Sequence, residues 1–507
     1  MLSSRQRRSR ILAGCGIFAV GFGGGLAHAA KPFLVPNSLV VSSSTYDRTQ
    51  GAVASLSVGT MLPDTATSTT TAVSDGNYVT VWENESVDAS FGVTSPIRLT
   101  AIEPHSGHVF GTLVVPVDQV VTSFPSKSEL GLHVSKDAGG FHLVFVGYGG
   151  AGVGAIDASN SDAVPGQDPT NPVTFAFGSS YAFPRTIVSV DTHGSFSYTP
   201  TVNYGGNNGR AALLASNGLY YSVGNANNGN AAKFGTLANG TSPDVTETTG
   251  VEVVTPIDAT GWDVPIPAGN SAEVDPLIQY PLGKNGALDK PGKDNNYRGI
   301  TEFGGALYFT KGSGSNGMDT VYTVSSLPTV ADAAQSIISV VPGFPTDSAR
   351  ATNGNYTPFA VFFADPSTMY VTDEGTGSST DATTHAGLQK WSLVAGSWQL
   401  DYVLTRGLVG VVDLGLDGAD GPYPDVTTVG LRNLTGVVDQ VAGTVTLYAT
   451  TSTSSAATDN GADPNKVVRI TDTLASTTLT DSVAQEKFST VMGPTYGTVY
   501  RGVAIVQ

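Results

Sequence analysis

The sequence predicts an all-β fold, a β-propeller of seven blades with six and eight as neighbouring counts, and three observations carry that reading. Charged residues make up only 13% of the 507-residue chain, against about 25% in an average domain, while Gly reaches 61. A unit of four short strands recurs along the chain. The last residues, "YRGVA", repeat "YRGIT" at Tyr297 to Thr301 almost letter for letter.

Taken in order, the chain opens with an export signal over residues 1–29. Arg5, Arg7, Arg8 and Arg10 precede the apolar run "ILAGCGIFAVGFGGGLAHAA", and Ala27-His28-Ala29 gives a small-x-small cleavage site. Arg7-Arg8 resembles a twin-arginine pair, but Arg10 stands where that motif takes an apolar residue, so general secretion is expected. Cys15 lies in "LAGC", which resembles a lipid-acceptor box but follows too short an apolar stretch, leaving lipid anchoring as the lesser alternative. Cys15 is also the only cysteine, so the mature chain would hold no disulfide. A secreted or periplasmic protein is expected.

Residues 30–507 read as one propeller domain. The segment from Asn37 to Val58 begins where other repeats have their second strand. "YVTVWEN", "PIRLTAIEPHSGHVFGTLVVP" and "LGLHVSKDAGGFHLVFVGYGGAGVGAIDAS" then read as two looser blades. Four clearer hairpins follow: "RAALLASNGLYYSVGNANNG", "RGITEFGGALYFTKGSGSNG", "FAVFFADPSTMYVTDEGTG" and "LRNLTGVVDQVAGTVTLYATTSTSS". Each is an apolar strand, a turn with Gly, Pro or Asn, an aromatic-centred strand and a small-residue loop. A third and fourth strand come after, as in "GLQKWSLVAGSWQLDYVL", where Gly396-Ser397 can turn the hairpin. The blades exceed the ~40–50 residues of common propeller repeats. The excess is assigned to Met61–Asp75, Asp157–Pro184 and a long surface insert at about 243–296. The C-terminal strand supplies the innermost strand that the first blade lacks, closing the ring and removing two open strand edges. A chain of independent β-sandwiches would predict no such pairing.

The formal charge is −17, and losing the signal's arginines makes it more negative. Phosphate polymers bind through clustered Lys and Arg, so no nucleic-acid partner is expected. No second apolar run is long enough to span a membrane. A monomer is expected.

From Phe359 to Gln507 the pattern "FAVFFAD…MYVTDEG…GLQKWSL…TLYATT…NKVVRITDT…VYRGVA" resembles a family of secreted microbial β-propeller proteins of largely uncharacterised activity, found alone or appended to exported enzymes. The resemblance implies the fold. It carries across no catalytic residue, and this chain has "LRNLTG" where the family pattern is plain "GLTG".

Arg210, Arg298, Arg432 and Arg501 occupy one repeat position, just before the core of the innermost strand, and are expected to ring one mouth of the channel. Guanidinium groups there would take a small anion, a carboxylate, sulfate or phosphate, by bidentate hydrogen bonds, and a carbohydrate is the other ligand expected at this mouth. Alternatively each arginine bridges to the next blade and locks the ring. Asp373 and Glu374, in "VTDEGTG", fall on the same mouth, as partners of the arginines or as an acid and base. The loops "GNANNGN" and "GSGSNG" read as turns rather than phosphate cradles. "DLGLDGADGPYPD" and "DNGADPN" offer oxygens for Ca²⁺ without the twelve-residue ligand order. His105 and His108 flank one turn with no zinc motif, and no G-x-S-x-G elbow occurs. The expected function is a secreted, non-catalytic binding or scaffold propeller. The alternatives are a hydrolase or lyase acting on polysaccharide or phosphoester through Asp373 or Glu374, and a surface adhesin.

Overall fold

In the computed structural model, Pro32–Gln507 forms one compact unit. The structure describes residues 31–46, 94–124, 128–154, 183–204, 208–225, 249–278, 296–312, 317–346, 356–375, 385–412, 426–455 and 463–507 (save 481 and 496), with short pieces between. The expected signal, with Cys15, lies outside the described residues.

The fold is an all-β propeller of six antiparallel blades, each built on four strands, with further short strands extending the sheets of blades 2 and 6. Innermost strand first, blade 1 is Thr498–Ile505, Leu39–Thr45, Ile97–Ile102 and Val109–Val114. Blade 2 is His133–Asp137, Gly140–Gly149, Arg185–Asp191 and Phe196–Thr201. Blade 3 is Gly209–Leu214, Tyr220–Gly224, Gly250–Val254 and Ser271–Glu273. Blade 4 is Tyr297–Phe303, Ala306–Lys311, Thr320–Val324 and Ser339–Val340. Blade 5 is Pro358–Asp365, Thr368–Asp373, Gly387–Val394 and Ser397–Leu404. Blade 6 is Val426–Asp439, Thr444–Ser455, Val467–Thr473 and Ser489–Met492. No α-helix occurs among the described residues.

The expected count of seven is therefore corrected to six. Leu39–Thr45 and Ile97–Ile102 are neighbours in one sheet, paired from Leu39↔Ile102 to Ser44↔Ile97. A blade-length insertion separates two adjacent strands of a single blade, and in sequence that looks like one more blade. "YVTVWEN" lies outside the described residues. A second correction concerns the stretch 243–296. Within it, Gly250–Val254 and Ser271–Glu273 complete blade 3, and Val251, Val253 and Val254 are buried. Their alternating apolar residues are a strand signal set among Pro, Gly and Asp.

The C-terminal strand runs antiparallel to Leu39–Thr45, from Leu39↔Ile505 to Thr45↔Thr498. Blade 5 turns its outer hairpin at Ala395 and Gly396, with φ of 50° and 82°, one residue earlier than expected. Two successive positive φ values make the primed turn that matches the strands' twist.

Burial between blades holds the sheets together. Tyr297, Phe309 and Tyr322 meet inside blade 4, Phe303 stacks on Phe363 of blade 5 at 4.3 Å, and Phe344 stacks on Trp391 at 4.1 Å. Burying such a side chain is worth about 1.5–3 kcal/mol, and aromatic pairing adds to it. The six innermost strands line a common central cavity of about 270 Å³.

Candidate functional site

The four arginines stand where the innermost strands bulge. Register breaks between Gly209 and Ala211, between Tyr297 and Ile300, between Leu431 and Leu434, and opposite Val41 to Ser43 for the C-terminal strand. Arg298-Gly299, Arg432-Asn433 and Arg501-Gly502 thus place two residues opposite one. A bulge re-aims a side chain and leaves an amide outside the ladder. Glycine follows Arg298 and Arg501 because neighbouring strands come very close there. A Cβ on Gly299 would lie 2.4 Å from the Phe359 carbonyl oxygen, and one on Gly502 would lie 2.3 Å from that of Leu130.

Hydroxyl groups fill the bulges. Thr310 Oγ1 accepts the Gly299 amide at 3.2 Å and donates to the Phe359 carbonyl at 2.6 Å. Thr372 accepts the Ala360 amide and donates to the Arg432 carbonyl. Ser42 accepts the Gly502 amide and donates to the Leu130 carbonyl, and Thr450 donates to the Arg501 carbonyl. Each hydroxyl therefore ties its own blade to the next. The same clasp identifies Phe359 in blade 5 and Leu130 in blade 2 as the counterparts of the arginines.

These two blades supply carboxylates instead. Glu374, just past the second strand of blade 5, takes Arg298 Nη1 on Oε1 at 2.8 Å and Arg432 Nε on Oε2 at 3.1 Å, so one acid spans blades 4 and 6. Arg298 Nη1 also donates to Ser128 Oγ at 3.0 Å. Glu129 of blade 2, which the sequence reading missed, accepts from Thr122 Oγ1, the Ser123 amide, Tyr148 OH and Asn208 Nδ2. Aligning "ELGLHV" with "YRGVAI" was the available signal, weakened because Leu replaces Arg.

Arg501 donates to Ser44 Oγ and the Phe124 carbonyl. Arg210 differs from the other three: it is 7% exposed, and its Nε and Nη1 have no acceptor. Burial first, and then the neighbouring Arg298 charge, pull its pKa from 12.5 down to about 9, while Glu129 and Glu374 act in the opposite sense.

Asp373 has a different role from its neighbour. Its carboxylate accepts the Thr357 amide and hydroxyl and the Gly375 amide, capping the strand end, and burial raises its pKa. The structure thus brings Glu374 to the arginines and turns Asp373 back into blade 5.

No three His, Cys, Asp or Glu cluster as a metal site among the described residues. Most of the Asp413 loop lies outside those residues, as do the tips of "GNANNGN" and "GSGSNG". His105 contacts Arg469 on blade 6 through Nδ1. His133 lines the central cavity, and burial lowers its pKa to about 4, so it is neutral at pH 7.

No protein-family model and no curated protein matches the chain. Among solved structures it is similar to a functionally unknown protein from Desulfotomaculum acetoxidans, at 14% identity and TM-score 0.32 over 82% of this chain and 98% of that one. It is also similar to a GH43_1 enzyme from Xanthomonas citri complexed with xylotriose, at 10% identity and TM-score 0.29 over 67% and 90%. A quinonprotein alcohol dehydrogenase-like protein from Bacteroides thetaiotaomicron aligns at 6% identity and TM-score 0.30 over 82% and 86%. Likeness at this level has no bearing on activity.

Proposed function

We propose that the protein is an exported, monomeric, non-catalytic propeller that binds a small anion at the arginine ring. The observation carrying this reading is Arg210, a buried guanidinium whose Nε and Nη1 have no acceptor, beside the charges of Arg298, Glu129 and Glu374. Burying a charge without a partner is costly, and folds retain such groups where a ligand completes them. Export is supported by the Arg-rich start and apolar run of residues 1–29. A hydrolase reading finds less support, because Asp373 caps a strand and Glu374 is engaged by two arginines. The C-terminal strand, in this account, is the element that closes the ring.

The test is thermal unfolding of the purified chain with phosphate, sulfate, acetate and acidic sugars in turn. A ligand at 100 times its dissociation constant adds about 2.7 kcal/mol. At least one anion is expected to raise the midpoint. A midpoint that none of them moves would overturn the reading.

A further inference from the structure

Resting on that reading of the ring, we propose that the seat beside Arg210 and Arg298 takes the carboxylate of a small organic acid. The protein already shows such a seat one blade further round. There Glu374 places one oxygen on Arg298 and the other on Arg432, bridging arginines of two blades. Beside Arg210 the donors are present and the acid is not. Arg210 Nε and Nη1 and Arg298 Nε are all buried and without acceptors. Those nitrogens carry four N–H groups, matching the roughly four lone-pair sites of a carboxylate. Arg210, although buried, is the most exposed of the four ring arginines.

Glu129 does not fill the seat. Its oxygens are taken by a threonine hydroxyl, a backbone amide, a tyrosine hydroxyl and an asparagine amide, all neutral donors. Glu129 makes no ion pair with Arg210, while Glu374 pairs with Arg298 and Arg432. Phosphate or sulfate offers related oxygen chemistry with a second charge, and the experiment separates it from a carboxylate.

Acetate, formate and phosphate are titrated by calorimetry and thermal unfolding into the full chain and into Arg210→Met and Glu374→Ala. Acetate and formate are expected to bind the parent, and Arg210→Met to weaken that binding by about tenfold or more, the loss of a charge-assisted pair. Glu374→Ala is expected to bind a second acetate, which refills the vacated seat and restores part of the lost midpoint. If acetate rescues Glu374→Ala but leaves the parent unaffected, the Arg210 seat is overturned and the ring still binds acids. If phosphate binds the parent and acetate does not, the carboxylate class is overturned and the anion reading stands. If no anion binds either protein, both fall. Should Glu374→Ala fail to fold, crystals of the parent soaked in bromoacetate locate the acid by anomalous diffraction. Bromine beside Arg210 supports the proposal, and its absence there overturns it.

Discussion

Thr450 supplies a bond that the strand ladder cannot make: opposite the Arg432-Asn433 bulge of its own blade, its hydroxyl donates to the Arg501 carbonyl across the blade boundary at 2.9 Å. Replacing it by valine keeps the shape, removes that bond and leaves the buried carbonyl with Asn433 Nδ2 as its remaining side-chain donor. Thr450→Val is therefore expected to lower stability by about 0.5–1.5 kcal/mol in denaturant unfolding, whereas the same change at exposed Thr480 should have little effect. The clasp was written in the sequence as Tyr-x-Thr at Tyr308–Thr310, Tyr370–Thr372 and Tyr448–Thr450. The aromatic drew attention to the strand, and the hydroxyl two residues later passed unused. The arginines were legible because they share one repeat position. Glu129 was not, because it serves a blade whose ring residue is Leu. Asp373 and Glu374 were found together, but only backbone geometry separates a strand cap from an arginine partner.

At the scale of elements, the seam between blades 5 and 6 is built from buried charge. Lys390 Nζ sits 2.9 Å from Asp472 Oδ2 and 3.1 Å from Tyr402 OH, and it also donates to the carbonyls of Thr473 and Leu474. Glu486 lies against this cluster. Burial first, and then its hydrogen bond to Asp472 and that residue's charge, push its pKa from 4.5 up to about 8. An acid raised in the folded state binds its proton more tightly there than in the unfolded chain. Its contribution to stability is complete below pH 4.5 and is lost as pH rises toward about 8. Melting curves across that window should fall more steeply for the parent than for Glu486→Gln, and equal slopes would refute this. The strands of blades 4, 5 and 6 were legible because alternation and turn residues agree. Blade 1 was misjudged because hydrophobic pattern reports a strand's existence and not which neighbour it pairs with across an insertion. The outer arms of blades 4 and 6 share a further repeat, "TVADAAQ" and "TLTDSVAQ", each holding one 3₁₀ turn. That repeat lies in connections rather than strands, where periodicity gives no signal.

Over the whole molecule, the ends of the chain meet in one sheet, with Val40 paired to Ala504 and Val41 to Val503. Deleting Thr498–Gln507 would strip the innermost strand from blade 1 and open the edge of Leu39–Thr45 beside a buried core. The account expects loss of cooperative unfolding and aggregation on expression, read by calorimetry and size-exclusion chromatography. The other feature that spans several blades is the bridge from Arg298 of blade 4 through Glu374 of blade 5 to Arg432 of blade 6. The central claim is that Arg210 awaits a ligand, whereas Arg298 is held by Glu374 and Ser128. The most direct measurement is the melting midpoint of Arg210→Met and Arg298→Met in buffer free of small acids and oxyanions. Removing an uncompensated buried charge should raise the midpoint for Arg210→Met, while Arg298→Met, which takes from buried Glu374 one of its two arginine partners, should lower it. A fall of similar size in both variants would contradict the account and make Arg210 a lock between blades.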